Sequence, residues 1–208
     1  MRLLPLLFAA SALYAQDTVA ARDWLNQGVT AFHAAHYSEA VEAFKKAVAL
    51  EPNLPTARLY LATAYMQQYI PGASSPENDE MAARALENFE GALAQDPANT
   101  VAIASIASLY LNQKKWDEAR QWYERMAALQ PGNADAYYAL GFIEWSRSYP
   151  AYLRTLESVG KKPDEPGPIA DVRVRQDLRA AWQATLERGI SNMQRVLELR
   201  PDSDDAMS

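Results

Sequence analysis

Two histidines come closest to a metal-binding pattern in this chain. His33 and His36 lie three residues apart, and on one continuous helix both imidazoles could bind the same ion. The spacing of apolar residues, however, places His36 in a turn between two predicted helices. A third ligand would also have to come from an acidic residue that no motif marks. We therefore predict a polar pair on the surface and no metal.

Two groups of carboxylates could suggest acid–base or calcium chemistry. The stretch 75–80 reads Ser-Pro-Glu-Asn-Asp-Glu, a helix start in which acidic side chains favour the positive end of the helix dipole. Capping explains these carboxylates better than catalysis does. A partial likeness to a calcium loop lies in Asp202, Asp204 and Asp205. That loop would need a glycine at its turn and a closing glutamate, and neither is present.

The remaining composition excludes several classes of activity. Cysteine is absent, which removes disulfides, thiolate metal sites and thiol nucleophiles. Neither a phosphate-binding glycine loop nor a nucleophile elbow occurs. The net charge of −6 disfavours nucleic acid as a partner, because an acidic surface repels phosphate. We predict a protein that is not an enzyme and has no cofactor.

The N-terminus predicts export. Met1-Arg2 is a short positive start, Leu3–Leu13 is an apolar run of 11 residues, and Leu13-Tyr14-Ala15 precedes the polar Gln16, with Ala12 as a second possible cleavage point. This pattern is typical of a secretory signal peptide over 1–15, cut after Ala15. The run is shorter than the roughly 20 apolar residues that span a bilayer. We expect a periplasmic or secreted protein with no integral membrane segment once the signal is removed.

Four segments of the chain end on a proline with the same spacing. In each, the gaps between the marked residues are 4, 3 and 5 positions. The segments are Ala40-Phe44-Ala47-Pro52, Ala85-Phe89-Ala92-Pro97, Ala119-Tyr123-Met126-Pro131 and Gly189-Met193-Val196-Pro201. Successive prolines are 45, 34 and 70 residues apart, and a period of 34 is typical of repeated helical hairpins. The longer intervals predict insertions of 11 and 36 residues.

These periods divide the chain into four repeats. We expect a domain over 17–203, with repeats over about 21–54, 55–99, 100–133 and 134–203, and a tail over 204–208. Insertions are expected near 70–80 and 148–183. Within the second insertion, 149–159 predicts a short separate helix. From Asp171 onward, apolar residues at helical spacing predict a final helix about twice the usual length.

The repeated residues resemble a known family. In the first repeat, six residues resemble the consensus of the tetratricopeptide repeat (TPR) family. They are Trp24, Gly28, Ala40, Phe44, Ala47 and Pro52. The stretches 68–72, 75–78 and 161–166 are also similar to a group of exported bacterial TPR proteins with the same two insertions. The resemblance implies an all-α solenoid of four helix-turn-helix hairpins with an extended final helix. It also implies a non-enzymatic interaction scaffold.

In TPR proteins the first helix of each repeat lines a concave groove that holds a partner. The resemblance therefore implies partner-binding positions at Leu25, Val29, Phe32, Leu59, Thr63, Met66, Ser108, Leu111, Asn112, Tyr138, Phe142 and Trp145. Their apolar and neutral-polar character favours a protein or peptide with apolar anchors. The Lys/Arg/Asn set with which some TPR domains bind a C-terminal carboxylate is absent.

Other interpretations remain open at this stage. The insertions or the long final helix could fold into the groove and bury these residues. The protein could instead self-assemble as a structural part of the cell envelope, through the insertion of the fourth repeat. A homo-oligomer would also cover the exposed stripe of a terminal repeat. Finally, the aromatic residues Tyr138, Phe142 and Trp145 could bind a cell-envelope glycan by ring stacking.

Overall fold

A computed structural model describes residues 4–54 and 56–202, with side chains from residue 17 onward. The described residues form eight α-helices in two compact units. The unit Met1–Gln113 contains α1 (Leu4–His33), α2 (Tyr37–Leu50), α3 (Ala57–Gln68), α4 (Pro76–Gln95) and α5 (Thr100–Asn112). The unit Lys114–Ser208 contains α6 (Trp116–Leu129), α7 (Ala134–Ser158) and α8 (Val172–Leu199). The predicted all-α fold of paired helices is confirmed.

Small residues let the paired helices approach closely. In the first unit, α1 packs on α2, and α3 packs on α4. Gly28 of α1 faces the ring of Phe44, which is fully buried and stacks on Tyr60 with ring centroids 5.5 Å apart. A β-carbon at Gly28 would lie 2.4 Å from a ring carbon of Phe44. The aromatic ring therefore fills the space that the glycine leaves.

Helix ends follow local chemistry. Four helices begin at a residue whose side chain accepts a hydrogen bond from a backbone N–H of the first turn, as N-cap residues do. These residues are Ser75, Asn99, Asn133 and Asp171. The three-residue connections after α1 and α5 each contain a non-glycine residue in the left-handed region, Ala35 at φ 60° and Lys114 at φ 56°.

The second insertion lengthens a hairpin and adds no separate element. The short helix expected over 149–159 is wrong, because α7 continues without a break from Ala134 to Ser158. Compared with α5, α6 and their connection, α7 is longer by 12 residues, α8 by 14 and the connection by 10. These differences account for the whole insertion. The final helix, with 28 residues against 14 in α6, has the predicted double length.

Pro150 explains why the sequence favours a break. Its ring nitrogen has no hydrogen to donate to the carbonyl of Ser146, which normally weakens a helix. The helix persists because α7 packs along α8 on both sides of the proline, where Ser148 and Leu156 are buried. Tertiary packing here overrides a local helix breaker.

The first helix starts earlier than the apolar spacing predicts. The first repeat was expected from about residue 21, whereas α1 begins at Leu4. The predicted signal peptide thus lies partly on this helix, and its first three residues fall outside the described part. In the part of the chain that the structure describes, no helix combines the length and the apolar character needed to cross a bilayer.

Candidate interaction surface

None of the twelve predicted partner-binding residues is fully buried. In the first unit, these residues lie on the odd-numbered helices: Leu25, Val29 and Phe32 on α1, Leu59, Thr63 and Met66 on α3, and Ser108, Leu111 and Asn112 on α5. Asn112 is exposed and the other eight are half-buried. In the second unit, Tyr138, Phe142 and Trp145 lie on α7, and all three are exposed.

Several positions on α1 and α3 are engaged within the fold. Leu25 packs against the buried cluster of Ala21, Ala47, Leu54 and Ala57. The ring of Phe32 meets the ring of Tyr37 edge-on, with centroids 5.3 Å apart. The hydroxyl of Thr63 donates to the carbonyl of Leu59 at 2.8 Å. These side chains thus have neighbours in their own unit and offer only part of their surface to a partner.

A row of exposed aromatic side chains lies on α7 of the second unit. Tyr138, Phe142, Trp145, Tyr149 and Tyr152 follow one another on α7 at spacings of 4, 3, 4 and 3, which places them along one side of the helix. We call these five residues the aromatic stripe. Their exposed fractions run from 36% to 51%, with Trp145 the most exposed.

The rings of the aromatic stripe contact one another. Trp145 and Tyr149 stack with centroids 4.8 Å apart and an interplanar angle of 19°. Phe142 lies 6.0 Å from Trp145, and Tyr152 lies 6.3 Å from Tyr149. Mutual contact restricts the rotamers of these side chains, so the surface is partly ordered before anything binds.

Sequence reasoning identified only the first three residues of the stripe. Tyr149 and Tyr152 were assigned to a separate helix, which would have given them an unrelated direction. The signal that could have found them is the unbroken spacing of 4 and 3 across Pro150. The insertion does not cover the stripe, since every member keeps more than a third of its surface accessible.

The opposite side of α7 is fixed to α8. Ala139, Leu140 and Ile143 are buried there, and Glu144 is only 2% exposed. The Glu144 carboxylate accepts two hydrogen bonds of 3.1 Å from the Arg188 guanidinium. Those bonds raise the pKa of Arg188 above its ordinary value. A two-point contact of this kind fixes the rotation of α7 about its axis, and with it the direction of the stripe.

A cleft opens where α7 and α8 extend beyond the usual repeat length. Its volume is about 710 Å³, and it lies between Ser148 and Tyr152 of α7, the first five turns of α8 and residues 167–169 of the connection. Leu178, Trp182, Leu186 and Ile190 form much of its apolar surface. Two basic side chains hold the connection between α7 and α8 in place. The Lys161 ammonium donates to the carbonyls of Pro166 and Gly167, and the Arg175 guanidinium donates to those of Ile169 and Ala170.

The histidines and clustered carboxylates lie apart from these surfaces. His33 ends α1, and His36 precedes α2 with its Nδ1 3.6 Å from a carboxylate oxygen of Glu39. Among the described residues, no three of histidine, aspartate and glutamate converge as metal ligands would. Two of the three aspartates considered for calcium, Asp204 and Asp205, lie outside the described residues.

Comparisons with known proteins agree with this architecture. Sequence models described as tetratricopeptide repeat match residues 21–54 and residues 79–141. Among curated proteins, the general transcriptional corepressor ssn6 of Schizosaccharomyces pombe is 27% identical over 122 residues, which cover 56% of this chain. The match spans only 11% of that protein's length.

Three solved structures have a similar fold. A protein from Bacteroides ovatus superposes with a TM-score of 0.57 at 18% identity, covering 90% of this chain and 93% of that one. The first TPR domain of Spaghetti, bound to an HSP90 peptide, gives 0.53 at 23% identity, with 63% and 95% covered. A structure of MamA gives 0.53 at 19% identity, with 88% and 92% covered. At these identities the likeness establishes the arrangement of helices.

Proposed function

Because this chain is a tetratricopeptide-repeat protein, we propose that it is an exported scaffold that binds a protein or peptide partner. Proteins of this family are interaction scaffolds and are typically non-enzymatic. The anchor that we propose is the aromatic stripe on α7. The observation that carries the proposal is the exposure of all five stripe residues on a helix whose other side is fixed to α8.

The size of the stripe fits a short peptide. The 14 residue-to-residue steps from Tyr138 to Tyr152 correspond to about 21 Å at 1.5 Å per step. An extended segment rises about 3.3 Å per residue, so six or seven residues would cover the stripe from end to end. Tyrosine, tryptophan and phenylalanine are also the residues that most often dominate binding energy at protein interfaces.

The ring geometry favours a peptide over a glycan. Sugar rings bind on the open face of an aromatic ring, whereas Trp145 and Tyr149 already use one face each to stack on the other. The accessible edges and outer faces suit apolar side chains and backbone groups. The Spaghetti domain, which shares this fold, was solved with a peptide, and a peptide is the class of partner proposed here.

Export is part of the same proposal. The positive Met1-Arg2 start, the apolar run and the small residue Ala15 before Gln16 support a cleavable signal and a periplasmic or secreted location. Expression of the whole chain in a bacterium, followed by mass spectrometry of the periplasmic fraction, tests it directly. We expect a mature protein that begins at Gln16. Recovery of the intact chain from the cytoplasm alone would contradict export.

The binding proposal is tested by removing two adjacent rings of the stripe. A Phe142→Ala/Trp145→Ala double variant is compared with the parent and with Leu129→Ala. The control side chain, on α6 of the same unit, is 44% exposed and lies outside the stripe. Each protein is immobilised and exposed to an envelope extract, and a retained protein is then titrated in purified form. We expect the double variant to lose at least tenfold in affinity, since hot-spot residues contribute about 2 kcal/mol or more.

Three results would count against this assignment. Equal retention of the same partner by parent and double variant would exclude the stripe as the anchor. Retention that survives protease treatment of the extract but not glycosidase treatment would identify a glycan as the ligand instead. Loss of binding in Leu129→Ala to the same extent would show a general effect of surface change.

A further inference from the structure

The two insertions contain two surface features that the proposed peptide binding does not require. The first insertion displays a single apolar side chain on a rigid loop, and the second contains the apolar cleft described above. Their charges are opposite. Taken together, these features suggest a contact between two copies of the chain.

The loop of the first insertion presents Ile70 to solvent. Ile70 is 64% exposed, the highest fraction among the large hydrophobic residues that the structure describes. A flexible loop would normally let such a side chain fold back onto the protein. Here the backbone of Ile70 is held by the side chain of Asn78, which is 7% exposed. The Asn78 amide accepts from the Ile70 N–H at 2.7 Å and donates to the carbonyls of Ile70 and Ala73 at 3.0 and 2.8 Å.

This arrangement orders the loop before any partner binds. A buried amide that satisfies three backbone groups of an exposed loop removes most of the loop's freedom. Gly72, at φ 80°, supplies the left-handed turn that brings the loop back to Ser75. A pre-ordered loop loses little entropy on binding, which is the usual advantage of a rigid docking element.

Acidic residues surround this loop. Glu77 and Asp79 lie in the first turn of α4, immediately after the loop, and Glu80 follows them; all three are exposed, and a Glu80 carboxylate oxygen lies 3.6 Å from the Arg84 guanidinium. The pKa of Glu77 is lowered by its backbone N–H and by the Ser75 hydroxyl, so its carboxylate is ionised at neutral pH. We call Ile70 together with these three carboxylates the acidic knob.

The cleft of the second insertion has the complementary character. Leu186 and Ile190 expose 47% and 59% of their surface in it, and Trp182 lies beside them. Arg175 and Arg179 also line the cleft. In the part of the chain that the structure describes, no carboxylate pairs with Arg179. The one acidic residue of the lining, Glu187, accepts a hydrogen bond from Gln183.

Charge is distributed accordingly along the sequence. Residues 147–190 contain eight basic and six acidic residues, whereas residues 17–113 contain five basic and eleven acidic residues. Opposite charges on two surfaces of the same molecule favour contact between copies and disfavour contact between like surfaces.

We infer that the acidic knob of one copy docks into the insertion cleft of a second copy, with Ile70 against Leu186 and Ile190 and the carboxylates against Arg179. The two surfaces differ, so the contact is heterologous. A pair of copies keeps one free cleft on the first and one free knob on the second, so further copies can add to form a ring or a filament. Of the aromatic stripe, Tyr152 alone borders the cleft, so Tyr138, Phe142, Trp145 and Tyr149 stay available to a peptide.

The test begins with the self-association of the purified mature protein. Sedimentation velocity over roughly 5–500 μM should show an average mass that rises with concentration, as expected for a micromolar contact. Raising the salt from about 50 to 500 mM should weaken the association, because part of the attraction is between exposed charges. A parent that remains monomeric over this whole range would overturn the inference.

Two single variants then separate the surfaces. Ile70→Asp removes the knob and keeps the cleft, while Leu186→Asp removes the cleft and keeps the knob. Each alone should lose self-association by at least tenfold in Kd. Mixed in equal amounts, they should form a dimer and nothing larger, because one intact knob then meets one intact cleft. Val101→Asp, at a site 56% exposed and outside both surfaces, should behave like the parent.

The mixing experiment tests whether the knob and the cleft bind each other. Failure of the mixture to dimerise, when each variant has lost association, would mean that the two surfaces do not bind each other. Self-association unchanged in either single variant would also overturn the inference. Ile70→Ser and Leu186→Ser repeat the experiment without an added charge, and circular dichroism confirms that each variant keeps the helical content of the parent. The stripe assay with Phe142 and Trp145 gives an independent result.

Discussion

Replacing Gly28 by alanine tests how tightly the first hairpin is packed. Gly28 lies on α1, and the ring of Phe44 on α2 occupies the space where a side chain would start. A β-carbon there would lie 2.4 and 2.5 Å from two ring carbons. Phe44 is fully buried and stacked on Tyr60, so its ring has no free space to move into.

The expected loss follows from two opposing effects. Carbon atoms in contact lie about 3.5–4.0 Å apart, so the ring or the helix must move by about 1 Å or more. Overpacking of this kind costs about 1–3 kcal/mol, and the immobile ring places Gly28→Ala near the upper end. The higher helix propensity of alanine offsets about 1 kcal/mol of this loss in the free energy of unfolding. We therefore expect a net loss of about 2 kcal/mol in the free energy of unfolding.

Thermal and urea unfolding, followed by circular dichroism at 222 nm, measure this loss. For a chain of this size, about 2 kcal/mol corresponds to a fall of about 4–8 °C in Tm. Gly132→Ala is the matched control, because no atom lies within 4 Å of its β-carbon position. Gly141→Ala should lose less than Gly28→Ala, since its nearest neighbour is the mobile end of Met193 at 2.6 Å. A Gly28→Ala variant as stable as the parent would refute the packing argument.

Two further predictions concern the second unit. Arg188→Met leaves the buried Glu144 carboxylate without its guanidinium partner and should destabilise the protein by about 2–3 kcal/mol in urea unfolding. This is below the full effect of a buried pair because Arg188 is partly exposed. Adding Glu144→Gln should recover part of the loss. Burial, aided by the charge of Asp135, raises the pKa of Tyr123. Its contribution to stability is therefore complete below about pH 10, where an unfolded tyrosine ionises, and is lost as the pH rises through the folded-state pKa. Between pH 9 and 11, Tyr123→Phe should lose stability less steeply than the parent. Equal slopes would exclude Tyr123 as a contributor.

Short-range patterns in the sequence predict most of the helical arrangement. The pairing of Gly28 with Phe44 follows from the repeated spacing of small and large residues, and the start of α4 follows from Ser75-Pro76. Each of these signals acts within one helix or between two adjacent helices. Such signals can therefore be read from the sequence without knowledge of distant contacts.

The continuity of α7 could not be predicted in the same way. Pro150 is a local signal for a break, whereas the packing that keeps the helix intact involves α8. The Glu144–Arg188 pair, for example, joins residues 44 positions apart. The two residues lie on either side of the insertion, so no pattern within a single helix indicates their contact.

Some residues of the candidate site could be predicted from the local sequence, and others could not. Tyr138, Phe142 and Trp145 were predicted because they fall on the regular part of the fourth repeat. Tyr149 and Tyr152 join them only once the helix is known to continue. The exposure of Ile70 could not be predicted either, since it depends on the hydrogen bonds of Asn78 to a loop up to eight residues away.

The growth of the fourth repeat as two lengthened helices has a consequence for how such a protein can diversify. Adding or removing about seven residues in both α7 and α8 changes the length of each helix by about two turns. The side chains beyond the change then keep nearly the same rotation about the helix axis. The base of the hairpin, where Gly141 meets Met193, would not be disturbed. The length of the projecting part of α7 and α8 can therefore change while the rest of the fourth repeat keeps its packing.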